Sequence, residues 1–469
     1  MKHFFLLFFC LFIFHNFSLK ANYNYTDKKS YNVGNEPVAV FYDSVSAIFH
    51  IFCKGTDKNF NGIFEPDSGD VKPSWWTLKE ASNGDIEVKK VYDFDFASIP
   101  FPFRPAFNSA ERIIYINHIN YIQGYSLDNY TPINQEHFGF TASGLDYQNG
   151  ELIITKSSQS NSIDTVILFN PKTQNIIVKY PVGINSQQSL GFDTYSPDKI
   201  GLAVLNVGPF GSDSSNVQFD NFDENSYPQF DVVGIGNTGN HISMFGNNYI
   251  VATSMFSGTI NLINMLKKSF TPIYSKSNTW NGPSFSKLIK MNYVDFDGSL
   301  QSTNYLISVN YDAKMEMWLI DDLNKNDFSN EYSSIDIDGK GESFDYSFSN
   351  NEGSYYSSNF VVAPSLKTDY TPNNTINYIK FVTLVSVDKK QKASDVQIFP
   401  NPAKNFITIK TDYDNFNIKI YNNLGNCLLS TKSYNNLSNI DLSNIKDGIY
   451  YVEISNSSHR NYNKLIIAK

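Results

Sequence analysis

Between residues 35 and 385 the chain repeats one theme. Apolar, β-branched runs of about five to eight residues alternate with clusters of Asn, Gly, Asp and Ser, and almost no stretch has helical periodicity. Typical runs are Ala47–Phe52, Glu151–Thr155, Thr165–Phe169, Gly201–Leu205, Tyr249–Thr253, Tyr305–Val309 and Ile379–Val385. Aromatic residues make up 15% of the sequence and favour strands. The clearest unit spans residues 144–183: a turn at Tyr147–Gly150, a strand, a polar loop, a second strand, a short turn and a third strand. Asn149-Gly150 is a strong hairpin signal, because both residues accept positive φ cheaply. Weaker echoes start near Asn247 and Tyr305, at a spacing of about 45–55 residues, which suits a four-stranded propeller blade. The expectation is an all-β chain with a β-propeller of about seven blades. A parallel β-helix would need a shorter period, and tandem sandwiches would need linkers inside this block.

The first residues form a charged start, an apolar run from Phe4 to Phe14 and a small residue, Ala21, at a cleavage position. The run is shorter than the roughly 20 residues a spanning helix needs. It reads as a secretory signal peptide over 1–21, with an uncleaved anchor as the alternative. Beyond it only Cys53 and Cys427 remain, far apart in sequence, so neither a disulfide framework nor a Cys/His metal cluster is expected.

Net charge is -9 but unevenly spread. The first 21 residues carry Lys2 and Lys20 and no acid, and residues 394–469 carry eight bases against six acids. The middle therefore holds all of the excess negative charge. It lacks the basic footprint that phosphate backbones require, so nucleic acid is excluded as a partner.

One loop stands out. In residues 57–70, Asp57, Asn59, Asn61 and Glu65 put side-chain oxygens at loop positions 1, 3, 5 and 9, with Gly62 at position 6. This is the spacing by which a short loop wraps a hard cation, with the Ile63 carbonyl at position 7 and Asp70 completing the shell. Ser68 replaces the bidentate glutamate of position 12, so a calcium site here resembles the free-standing calcium loops of extracellular proteins. Its role would be structural. The same residues also read as a solvated, Asn-rich hairpin loop. Trp75 and Trp76, just beyond, read as core residues. Asp295–Gly298 and Asp336–Gly339 read as hairpin turns.

Catalytic signatures are missing. The histidines beyond the leader are His50, His118, His137, His241 and His459; none lies in a His-Glu-x-x-His array, and there is no Gly-x-Ser-x-Gly elbow or phosphate-binding glycine loop. His118 reads as structural. No catalytic residue is assigned, although carboxylate pairs always remain conceivable among 46 acids.

After a charged linker, 388–393, come about seven short strands in roughly 75 residues, which make a small Ig-like sandwich over 394–469. The segment opens with Pro400-Asn401-Pro402-Ala403, has a Tyr-Asn-x-Leu-Gly turn ending at Gly425, then Ile445–Tyr450 containing Gly448 and Tyr450, and a basic, apolar last strand ending at Lys469. In order, spacing and position it resembles the type A C-terminal sorting domain of the Bacteroidetes type IX secretion system. The resemblance implies export through the periplasm and across the outer membrane by the type IX secretion machinery. It further implies removal of the tail and release of the passenger, or its attachment to surface lipopolysaccharide.

Residues 22–387 are then a propeller passenger that is secreted or displayed on the outer cell surface. It also resembles, more loosely, the secreted propellers joined to such tails. Three functions stay open. The first is non-enzymatic binding of an unidentified extracellular glycan, peptide or protein. The second is a hydrolase of polysaccharide or ester, which requires converging carboxylates or histidines in a central funnel. The third is a purely structural surface component, which requires a shallow, poorly lined funnel.

Overall fold

The computed structural model describes residues 24–81, 83–96, 104–158, 162–194, 200–209, 214–220, 230–275, 281–294, 300–323, 327–351, 355–384, 396–411, 415–422, 427–456 and 460–469. The leader 1–21, the turn Asp295–Gly298, the linker 388–393, Gly425 and His459 lie outside the described residues. The chain divides into two units, a large one ending at Val385 and a small one formed mainly by Ser386–Lys469.

In the large unit, seven four-stranded antiparallel sheets follow one another among the described residues. Six are meanders, over residues 37–93, 106–137, 142–184, 186–236, 239–275 and 283–336. We call them blades 1 to 6. Blade 7 takes three strands from residues 340–384 and its outermost strand, Asn24–Asn32, from the start of the chain. Asn32 pairs with Thr375 and Asn24 with Val382. The unit is a seven-bladed β-propeller.

The pleat explains its cores. Side chains on a strand alternate between faces, and each blade is covered by a neighbour on both faces. Leu152 and Ile154 pack toward blade 2 with Tyr115 and Ile122. Ile153, between them, packs toward blade 4 with Leu202 and Val204. One such cluster occupies every seam of the ring, including that between blades 7 and 1, where Ile51 meets Val361 and Ile376. Second strands are therefore buried on both sides and read as continuous apolar runs.

The structure corrects one detail of the sequence reading. The Asn149-Gly150 turn is present, with φ of 50° and 89°. It joins Glu151–Lys156 not to a loop but to a further strand, Ala142–Gln148, the innermost of blade 3. Trp75 is fully buried, stacked on Phe52 at 5.1 Å, and donates from Nε1 to His50 at 3.2 Å. His118 is likewise buried, 3.1 Å from the Tyr125 hydroxyl.

The small unit is a sandwich. Gln397–Phe399, Phe406–Lys410 and Leu437–Asp441 form one sheet; Cys427–Ser433, Phe416–Tyr421, Gly448–Ser455 and Arg460–Ile467 form the other. Alternate residues such as Ile407, Ile409, Phe416, Ile418, Val452 and Leu465 meet in a single core.

Candidate functional site

The first strand of each blade runs along the propeller axis. Residues of these strands in blades 1 and 3 to 7, together with Arg104 and Pro105 just ahead of blade 2, enclose a central cavity of about 1190 Å³. Inner strands of adjacent blades are not joined by a backbone ladder, so side chains bridge them. Gln188 of blade 4 donates to Ile242 O and accepts from Ile242 N of blade 5, both at 3.0 Å. Ser243 of blade 5 donates to Ser286 O of blade 6 at 2.9 Å. Asp146 of blade 3 accepts from Gly191 N of blade 4 at 2.7 Å, and Asp345 of blade 7 accepts from Tyr42 N of blade 1 at 2.8 Å.

Arg104 reaches furthest. Starting from the entry to blade 2, it donates through Nη1 to Gln187 O of blade 4 at 3.0 Å and through Nη2 to Asn240 O of blade 5. Burial pushes its guanidinium down to about 10. Beside it, His241 is 8% exposed and lies on the Phe285 ring at 3.8 Å; its Nδ1 has no hydrogen-bond partner. Burial, with Arg104 and Lys287 nearby, holds this imidazole neutral, well below the usual range. Lys287 pairs with Asp345 at 3.0 Å. Glu342 is pushed up by burial and accepts from the Tyr311 hydroxyl at 2.7 Å and Ser365 Oγ at 3.0 Å. Burial also pushes Asp146 up to about 6.

None of these residues stands in a recognisable motif. One signal for Arg104 was present in composition: the sequence has only three arginines, Arg104, Arg112 and Arg460, against a large excess of lysine. A chain that uses lysine almost everywhere needs a reason for the rigid guanidinium fork.

The loop of residues 57–70 lies between the second and third strands of blade 1 and is closed at its base by the paired Thr56 and Val71. Asp57 Oδ2 accepts from Gly62 N at 2.8 Å, Asn59 Oδ1 from Asn61 N at 3.3 Å and Asn61 Oδ1 from Ile63 N at 2.7 Å. Glu65 accepts from both asparagine amides. Asp57, Asn59, Asn61 and Glu65 are thus brought together, and Asp57 Oδ1 is enclosed without a partner. Asp70 differs. It is buried and both its oxygens are taken by Lys58 N and Glu65 N, each at 2.9 Å, so it pins the loop. The Ile63 side chain is exposed. Among the described residues no three His, Cys, Asp or Glu side chains form a metal-binding group. Two carboxylates and two amide oxygens nevertheless make a donor set of the kind calcium takes. The Asp336–Gly339 turn is structural: Asp338 pairs with Lys28 at 3.0 Å and accepts from Asn377 at 2.7 Å.

In the small unit the motif residues converge on the last strand. Asn401 donates from Nδ2 to Lys464 O at 2.7 Å and accepts from Ile466 N at 2.9 Å, so its amide acts as a short piece of strand. Pro400 and Pro402 flank it. Ala403 pairs in parallel with Ile467. Tyr450 donates to Lys446 O at 2.8 Å and lies over Gly448, where a Cβ would meet its ring at 3.4 Å. Lys469 donates from N to Asp447 at 3.2 Å and from Nζ to Ser443 O at 2.7 Å. The family model "Secretion system C-terminal sorting domain" matches residues 397–468. Residues 397–468 are a type IX secretion sorting domain. The sorting domain implies engagement with the type IX secretion machinery and delivery to the cell surface or the medium.

No curated protein matches the chain. Among solved structures, the WD40 repeats of RRP9 superpose with a TM-score of 0.50 at 9% identity, over 77% of this chain and 100% of that one. That likeness is one of fold. Hydrazine synthase of Kuenenia stuttgartiensis gives 0.46 at 11% identity, over 79% and 99%. PorZ, a surface component of the type-IX secretion system of Porphyromonas gingivalis, gives 0.42 at 9% identity, over 93% of this chain and 59% of its own.

Proposed function

We propose that the propeller, residues 22–387, is the exported passenger and acts by non-enzymatic binding of an extracellular ligand in its central cavity, a glycan before a peptide or protein segment. The observation that carries this reading is the cavity itself. It is as large as a typical ligand pocket and is walled by apolar and aromatic side chains interspersed with hydroxyl, amide and charged groups. A purely structural component would have no use for it. The hydrolase reading has less support, because each cavity carboxylate is engaged: Asp146 with backbone N–H groups, Asp345 with Lys287 and Tyr42 N, Glu342 with Tyr311 and Ser365. The cavity does bring Asp146, Glu342, Asp345 and His241 together, as a hydrolase requires, but with those partners already in place.

We further propose that Asp57, Asn59, Asn61, the Ile63 carbonyl and Glu65 hold a structural calcium ion, with Asp70 fixing the loop around it. The enclosed, unpartnered Asp57 Oδ1 supports this. The leader over 1–21, transit through the periplasm and attachment to lipopolysaccharide after tail removal complete the proposal.

A glycan array and a hydrolase screen of the exported chain, with and without chelator, test the function. Retention of a glycan without turnover is expected; turnover of any substrate overturns it. For the address, residues 394–469 are fused to a fluorescent reporter in a host with the secretion machine. Surface or medium fluorescence is expected, and Asn401→Ala reduces it by loosening the last strand. A reporter left in the periplasm overturns the address.

A further inference from the structure

The central cavity contains a cation that no carboxylate meets at ion-pair distance among the described residues. The Arg104 guanidinium has five N–H donors, and its two hydrogen bonds go to backbone carbonyls, Gln187 O and Asn240 O. Among the described residues no carboxylate forms an ion pair with it. Glu342 is the acid that acts on it from a distance, and that carboxyl already accepts from Tyr311 and Ser365. The other cavity acids are committed elsewhere, Asp345 to Lys287 and Asp146 to Gly191 N. Arg104 is partly exposed on the cavity wall, where an incoming oxyanion can pair with it.

A second, independent feature lies beside it. His241 follows Asn240, the residue whose carbonyl Arg104 holds, and its buried ring carries the unpartnered Nδ1. Lys287, over the Phe285 ring at 5.4 Å, brings another positive charge to the same wall. Arg104, with two N–H groups taken by backbone carbonyls, the unpartnered His241 Nδ1 and the Asp345-paired Lys287 therefore line one space far larger than a bare ion needs.

We propose that the central cavity binds an acidic saccharide, whose oxyanion is the counter-ion of Arg104 next to His241. The guanidinium fork suits a planar carboxylate or a sulfate or phosphate ester, and the amide and hydroxyl wall suits the sugar body. This inference rests on the cavity being a ligand site.

Calorimetry on the full chain at pH 7 and low salt uses four probes on one hexose ring: glucuronate, glucose 6-sulfate, glucose 6-phosphate and glucose. At least one acidic probe binds about tenfold more tightly than glucose, and Arg104→Lys, which keeps the charge but loses the fork, removes most of that preference. The three acidic arms tell carboxylate from sulfate and phosphate. If charged and neutral sugars bind alike, or if Arg104→Lys keeps the preference, the inference fails while the binding site stands. If no sugar binds, the inference fails, and the glycan array above decides the binding-site reading separately. Should the variant melt below the working temperature, the Arg104 Nε–H resonance of the unaltered chain decides the matter: it moves with at least one of the three acidic probes and not with glucose, and a signal unmoved by all three overturns the inference.

Discussion

Ile153 and Ile154 are neighbours in the chain, both fully buried, and belong to different cores. Ile153 packs between blades 3 and 4, Ile154 between blades 2 and 3. Replacing either with Ala is expected to cost about 2–5 kcal/mol. Their side chains share no core, so the double variant costs the sum to within about 0.5 kcal/mol. Denaturant melts of the two singles and the double measure this.

The seam between blades 1 and 2 is sensitive to acid. Asp43 is fully buried. Burial alone would raise its carboxyl, but His50 4.0 Å away, Ser46, the Arg112 guanidinium and the Val45 N–H hold it well below the usual range. A depressed carboxyl stabilises the fold above its unfolded value, about 3.9, and that contribution is lost as pH falls through the folded value. Melting temperature should therefore drop below about pH 4, and less so in Asp43→Asn. Arg112→Met at pH 7 leaves a buried carboxylate without its cation and costs about 3–5 kcal/mol.

Calcium should act on the loop of blade 1 and little else. Extracellular sites of this kind bind in roughly the 10⁻⁴–10⁻³ M range. At about 10 mM calcium the weaker limit corresponds to about 1.4 kcal/mol of added stability. Differential scanning calorimetry with calcium and with chelator is the measurement. Asp57→Asn and Glu65→Gln should each abolish the difference, and an unchanged midpoint in the parent chain removes the ion.

Deleting Asn24–Asn32 leaves Thr375–Leu384 as an unpaired edge and removes the Lys28–Asp338 ion pair. Such edges recruit other chains. Size-exclusion chromatography should show the shortened protein shifting to larger species than the parent chain, with a broadened melt.

The two cysteines of the described chain should differ in reactivity. Cys53 is buried, which pushes its thiol up, while Cys427 is exposed. A thiol reagent added to the chain lacking its leader should titrate one group in the folded protein and two in denaturant.

The sequence disclosed the parts of the propeller that are apolar on both faces. Ile113–His118, Glu151–Lys156 and Tyr249–Ser254 are buried between two blades and so stand out as continuous runs. Outer strands such as Pro132–His137 are exposed almost throughout and carry no pattern to read. Inner strands such as Ala142–Gln148 carry Gly144 and face the cavity with Leu145, Asp146 and Gln148, a mixture that resembles a turn in a linear text. The same cause hid the cavity residues. Arg104, His241 and Glu342 come from three separate blades and meet only when the ring closes. The sorting motif was legible because its residues come in a fixed order within one small domain, even though Asn401 acts across it on Lys464 and Ile466, and Tyr450 on nearby Lys446.

Blade 7 is sewn from both ends of the propeller chain, and the tail that the exporter grips continues from its strand Thr375–Leu384. Traction on the tail therefore enters the ring at that strand. It is flanked on one side by Tyr355–Leu366 and on the other by Asn24–Asn32. To peel it away, any force on the tail must break two antiparallel ladders at once, so the strand Asn24–Asn32 braces the point at which the sorting domain is tethered.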